Sequence, residues 1–96
     1  MQLYTYGHLT ALLGERITMT DAQGVQAQLV IEHVEKNEQY GPDWEAFAVY
    51  LLGQDNLRIP QGCYVFEHPA LGAETLFISP KNQLQYEVVI NKRIAG

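Results

Sequence analysis

The chain has 96 residues, 47% of them hydrophobic, and a formal net charge of −5. That is enough apolar side chain for one core without a metal or disulfide staple, and too short a chain for two cores, so residues 1–96 are expected to form one domain. A single cysteine excludes an internal disulfide framework and a Cys-rich zinc site, and six Lys and Arg against eleven acids leave little to neutralise a phosphate backbone.

No nucleic-acid partner is therefore expected. The apolar runs are only a few residues long, so no membrane span is expected either. The opening MQLYTYGHLT lacks the basic start and apolar stretch of a secretory signal, which makes cytoplasmic residence the default expectation.

Taken in chain order, residues 4–13 predict a short helix. Tyr6, Leu9 and Leu13 stand at i, i+3 and i+7, and Gly14 is placed to follow its C-terminus. Residues 15–20 then read as a strand with Ile17 and Met19 inward, and residues 21–24, Asp-Ala-Gln-Gly, as a turn. Residues 26–35 predict a second strand with Leu29, Ile31 and His33 on one face and Val30, Glu32 and Val34 on the other. A helix competes for this segment, and its β-branched residues favour the strand.

Residues 36–43 read as a polar loop ending in Tyr40-Gly41-Pro42. Residues 44–52 follow as a strand with Phe47, Val49 and Leu51 inward, and residues 53–57 as a turn. Two further strand-like runs, residues 63–68 and 75–79, are joined by a turn of Pro69, Ala70, Leu71 and Gly72. Pro60, Pro69 and Pro80 bracket them, because proline has no N–H for a ladder. Residues 81–83 form another turn, and residues 85–91 a last strand with Tyr86, Val88 and Ile90 on one face. Roughly six strands with short connections and one N-terminal helix predict an all-β, mainly antiparallel fold, as a small barrel, meander or sandwich.

The residues Gln61-Gly62, Tyr64, Glu67-His68-Pro69, Leu71-Gly72, Leu76-Phe77, Pro80 and Tyr86-Glu87 form a pattern, extended more loosely by Leu12-Leu13-Gly14, Phe47 and Leu52-Gly53. This pattern resembles a family of short, uncharacterised bacterial domains, which occur beside phage-tail and tail-collar-like proteins. Cys63 stands where that family favours a small residue such as threonine. The resemblance implies no activity, cofactor or catalytic residue.

The three histidines, His8, His33 and His68, show no metal-binding spacing. Within the pairs Glu32-His33 and Glu67-His68, neighbouring strand residues face opposite ways and cannot chelate one ion from a regular strand. No metal and no cofactor is therefore expected. His68 precedes Pro69, and its imidazole is suited to bonding the turn backbone. Cys63 has no flanking nucleophile signature and reads as a small packing residue. Tyr and Trp favour interfaces, so Tyr40 and Trp44 beside the polar loop mark the first candidate interaction surface.

These features point to a non-catalytic structural or protein-interaction module with a protein partner. Self-association is expected through exposed edge strands at residues 17–19 and 85–91. The alternative is a ligand-binding or enzymatic barrel with a pocket lined by Tyr64, Phe66, His68 and Tyr86.

Overall fold

The computed structural model describes residues 3–37, 44–54 and 58–93. A short helix, α1 (Tyr6–Ala11), precedes six strands: β1 (Arg16–Thr20), β2 (Gln26–Asn37), β3 (Trp44–Leu52), β4 (Gly62–His68), β5 (Gly72–Pro80) and β6 (Gln85–Arg93). The strands close into an antiparallel barrel in the order β1-β2-β3-β6-β5-β4. The all-β expectation with one N-terminal helix holds, and the barrel is the form it takes.

Alternation decides what goes inside. Ile17, Met19, Leu29, Ile31, Phe47, Val49, Leu51, Phe66, Ile78, Tyr86, Val88 and Ile90 are all buried, one strand face after another. Tyr4 and Leu9 enter from the N-terminal segment and complete the core at the barrel end where β3, β5 start and β2, β6 finish. A void in this core bordered by Tyr4, Leu9 and Phe66 measures about 10 Å³, too small to hold a ligand.

The helix is shorter than the spacing suggests. Thr5 caps it by accepting the His8 N–H at 3.1 Å. Its apolar stripe runs through Leu9 and Leu12, while Leu13 lies beyond the helix and is exposed. Gly14 follows with φ of 87°, and its N–H donates to the Ile31 carbonyl at 2.7 Å, tying the turn to β2.

Two corrections concern register and closure. The ladder between β2 and β3 shifts between Ile31 and His33, where Glu32 is the extra residue. This bulge moves Val34, not His33, onto the inward face; His33 stacks outside on the Tyr50 ring with centroids 5.8 Å apart. Residues 17–19 and 85–91 are not edges, because β1 lies between β2 and β4, and β6 between β3 and β5. Alternation sets which face is buried, but closure depends on which strands meet, and that information is not local.

The barrel has two unequal parts. β3 and β6 pair from Trp44↔Arg93 to Leu52↔Gln85, and β2 and β3 are paired almost as far. Among the described residues, the β4–β5 hairpin joins this wall through two short ladders. One pairs Thr18–Thr20 with residues 67–65, and the other pairs Ile78, Ser79 and Pro80 with Val88, Glu87 and Tyr86.

Candidate interaction surface

The hairpin tip shows why the sequence marks this region so strongly. Gly72 takes φ of 73°, a conformation open to glycine, and strand pairing resumes at once with His68↔Gly72. The Ala70 N–H donates to His68 Nδ1 at 2.9 Å, so the expected bond from imidazole to turn backbone is present. With Nδ1 accepting, Nε2 carries the proton and donates to Glu15 Oε1 at 2.9 Å. His68 therefore fastens the hairpin tip to the chain just before β1.

Tyr4 fastens it from inside. Its hydroxyl lies 3.0 Å from the Phe66 carbonyl and 2.9 Å from the Gly72 carbonyl, and shares one proton between them. Burial first, then the charges of Glu74 and Glu67, push this phenol up to about 12. No local pattern singles out Tyr4; only the fold brings it beneath β4 and β5.

The four residues nominated as one pocket are spread through the barrel. Phe66 is wholly buried in the core, and His68 is bound to Glu15 at the hairpin tip. Tyr64 and Tyr86 lie toward the other end of the barrel. The Tyr64 hydroxyl donates to the Pro60 carbonyl at 2.7 Å, and the Tyr86 oxygen accepts the Ile59 N–H at 3.3 Å. His68 does border an open surface hollow of about 410 Å³, together with Thr18, Gln26, Glu67, Pro69 and Gly72. Tyr64, Phe66 and Tyr86 do not line it.

Cys63 corrects another expectation: it is exposed on the outer wall rather than packed inside. Tyr40 lies outside the described residues, while Trp44, at the start of β3, is 41% exposed. Beyond Trp44 the outer wall of β3 continues with Ala48 and Tyr50, while Ala46, between Trp44 and Ala48, is buried. Ala48 floors an outer trough of about 370 Å³, walled by Glu35, Tyr50, Glu87, Val89 and Asn91. The Tyr50 hydroxyl donates to Glu35 Oε2 at 3.3 Å; burial, then the charges of Glu87 and Glu35, raise its pKa. Lys81 sits over the Tyr50 ring at 5.8 Å. With His33 stacked on the same ring, Tyr50 is held on several sides by its own neighbours.

Next to this trough the wall turns apolar. Phe77 is 50% exposed, Val89 55% and Val65 39%. Register places them together: Cys63 opposes Phe77, Val65 opposes Thr75, and Phe77, just before Ile78, and Val89, just after Val88, each stand one residue from the Ile78↔Val88 pair. The stripe thus crosses β4, β5 and β6 on their outer face. The signal was available in residues 75–79, which are apolar on both faces although a small barrel buries only one.

Among the described residues, no three His, Cys, Asp or Glu side chains gather as metal ligands, and no helix is long and apolar enough to cross a membrane. No curated protein and no solved structure matches the chain. Residues 4–90 do match one family model, reaching from Tyr4 beneath the hairpin to Ile90 in the core, and so taking in α1, β1 to β5 and most of β6. The chain belongs to DUF6916, a domain of unknown function.

Proposed function

We propose that the domain is a non-catalytic protein-interaction module, which docks a protein partner through the outer face of β4, β5 and β6. The exposed stripe of Val65, Phe77 and Val89 carries this reading. Apolar side chains that cluster on an outer wall beside polar neighbours mark contact surfaces. The interior favours the same reading, because its core is filled with side chains where a ligand-binding barrel would keep a cavity. His68 adds a chemical argument: both its ring nitrogens are engaged within the protein, leaving neither to move a proton for a substrate.

The setting we propose, a bacterial phage-tail-like assembly, rests on the resemblance carried by residues 61–87. Trp44 extends the surface on the far side of the trough. The test is co-purification from the native host with intact protein and with Val89→Glu, followed by binding measured with the purified partner. One protein recovered with the intact chain, and bound at least tenfold more weakly by Val89→Glu, is the expected result. Equal binding to both chains would overturn the reading.

A further inference from the structure

The trough beside the docking stripe is shaped by side-chain size. Ala48 pairs with Glu35 on β2 and with Val89 on β6, and Tyr50, two residues on, pairs with His33 and Glu87. Two strand spacings set the walls over Ala48 about 9–10 Å apart, room for one extended alkyl chain. The trough keeps its volume of about 370 Å³ because alanine fills so little of that width. Tyr50 closes one end. Its ring is held by His33, with centroids 5.8 Å apart, and by Lys81, 5.8 Å from the centroid. Val89 belongs to both features, since it walls the trough and stands in the exposed apolar stripe.

Among the described residues, the closed end holds more acceptors than donors. The charges of Glu35 and Glu87 both act on the Tyr50 hydroxyl. A phenol has one proton, and this one goes to Glu35 Oε2 at 3.3 Å. Lys81 Nζ stands 3.9 Å from Glu87 Oε1, beyond hydrogen-bond distance. Lys36 also borders the trough, but its ammonium lies over the Tyr6 ring, 5.7 Å from the centroid. A cation brought from outside therefore meets complementary charge here, in a chain of formal net charge −5.

We infer that the trough receives an arginine side chain of the protein partner, its stem along Ala48 and Val89 and its guanidinium between Glu35 and Glu87. Arginine suits the site better than lysine. Its five N–H donors serve several oxygens at once, and it is more weakly hydrated than an ammonium. Apolar residues flanking that arginine in the partner cover Val89 and Phe77, so charge sets the register and the stripe supplies the burial. The inference rests on the docking role proposed above and names the chemistry of its partner.

The experiment uses the full chain and one probe, the acetylated and amidated peptide Gly-Ser-Leu-Arg-Val-Ser-Gly, titrated while amide spectra are recorded. Saturable shifts at Ala48, Tyr50 and Val89 are expected, with a dissociation constant of about 0.1–1 mM. Glu35→Gln and Glu87→Gln should each weaken binding by about fivefold, the upper end for one exposed ion pair. Glu67→Gln makes the same charge change at the hairpin tip and should leave binding unaltered. Lysine in place of the peptide's arginine should weaken binding, and glutamine should abolish it. No binding of the arginine peptide up to about 2 mM, equal binding of the glutamine peptide, or an equal loss from Glu67→Gln would overturn the inference. So would calcium chloride that displaces the peptide at about 1 mM and needs both glutamates, because the trough would then be a metal site. If the native partner depends on Val89 but ignores Glu35→Gln and Glu87→Gln, the arginine falls and the docking role stands. If the peptide binds as expected but the native partner ignores Val89→Glu, the docking stripe falls and the arginine site stands.

Discussion

The wall of β1, β2, β3 and β6 and the β4–β5 hairpin are held by different means. In the wall, backbone ladders run nearly the full length of β3 and β6. The hairpin is well paired internally, yet it joins the wall through two short ladders, Tyr4 inside and the His68–Glu15 bond at its tip. Side chains thus replace backbone pairing where the hairpin splays from its neighbours. Such a division predicts opening in two stages, the hairpin before the wall.

The largest effect is expected from Phe66→Ala. It removes a wholly buried ring from the hairpin's inward face and should lower unfolding free energy by about 3–5 kcal/mol, read by denaturant titration. Since small domains are stable by about 5–15 kcal/mol, that loss would bring the fold close to its limit.

Alkali should act next, through Tyr4. Its phenol ionises near 10 when unfolded and near 12 when folded, so the folded state holds its proton more tightly. The stability this provides is complete below pH 10 and is lost as pH rises from 10 to 12, roughly 2–3 kcal/mol in all. Tyr4→Phe should flatten this part of the pH–stability curve. At neutral pH the same substitution should cost about 1 kcal/mol, because two carbonyls lose their donor. A curve as steep in Tyr4→Phe as in the parent chain would assign the alkaline loss elsewhere, with Tyr50 the other phenol whose pKa is raised.

His68→Ala leaves the Ala70 N–H and the Glu15 carboxylate without this partner, at about 1–3 kcal/mol. Its sharper readout is local. Amide exchange should quicken in β4 and β5 and stay unchanged in β3 and β6; equal acceleration in both would erase the distinction between the two parts. The smallest effect belongs to Lys81→Ala. It breaks a 3.9 Å contact with Glu87 on the exposed face and should change stability by less than about 1 kcal/mol.

Much of this architecture can be read from local pattern. The inward sets Ile17/Met19, Phe47/Val49/Leu51 and Tyr86/Val88/Ile90 follow period two, whereas the helix stops at Ala11 and Gly14 takes its positive φ in the turn that follows. His68 before Pro69 correctly implied a turn-bonding imidazole. What escaped was relational. The bulge at Glu32 exists only against β3, the outward turn of Phe77 only against a closed barrel, and the role of Tyr4 only beneath Gly72. Aromatic content directed attention to Tyr40 and Trp44, whereas the larger apolar exposure lies on β4, β5 and β6.

The ladder between β1 and β4 has a kinetic consequence. It joins residues 18–20 to residues 65–67, whereas the β4–β5 hairpin needs only a tight turn. A contact that closes so long a loop must overcome the chain entropy of everything between. The hairpin should therefore assemble early and the barrel should seal late, with substitutions at Met19 speeding unfolding more than they slow folding.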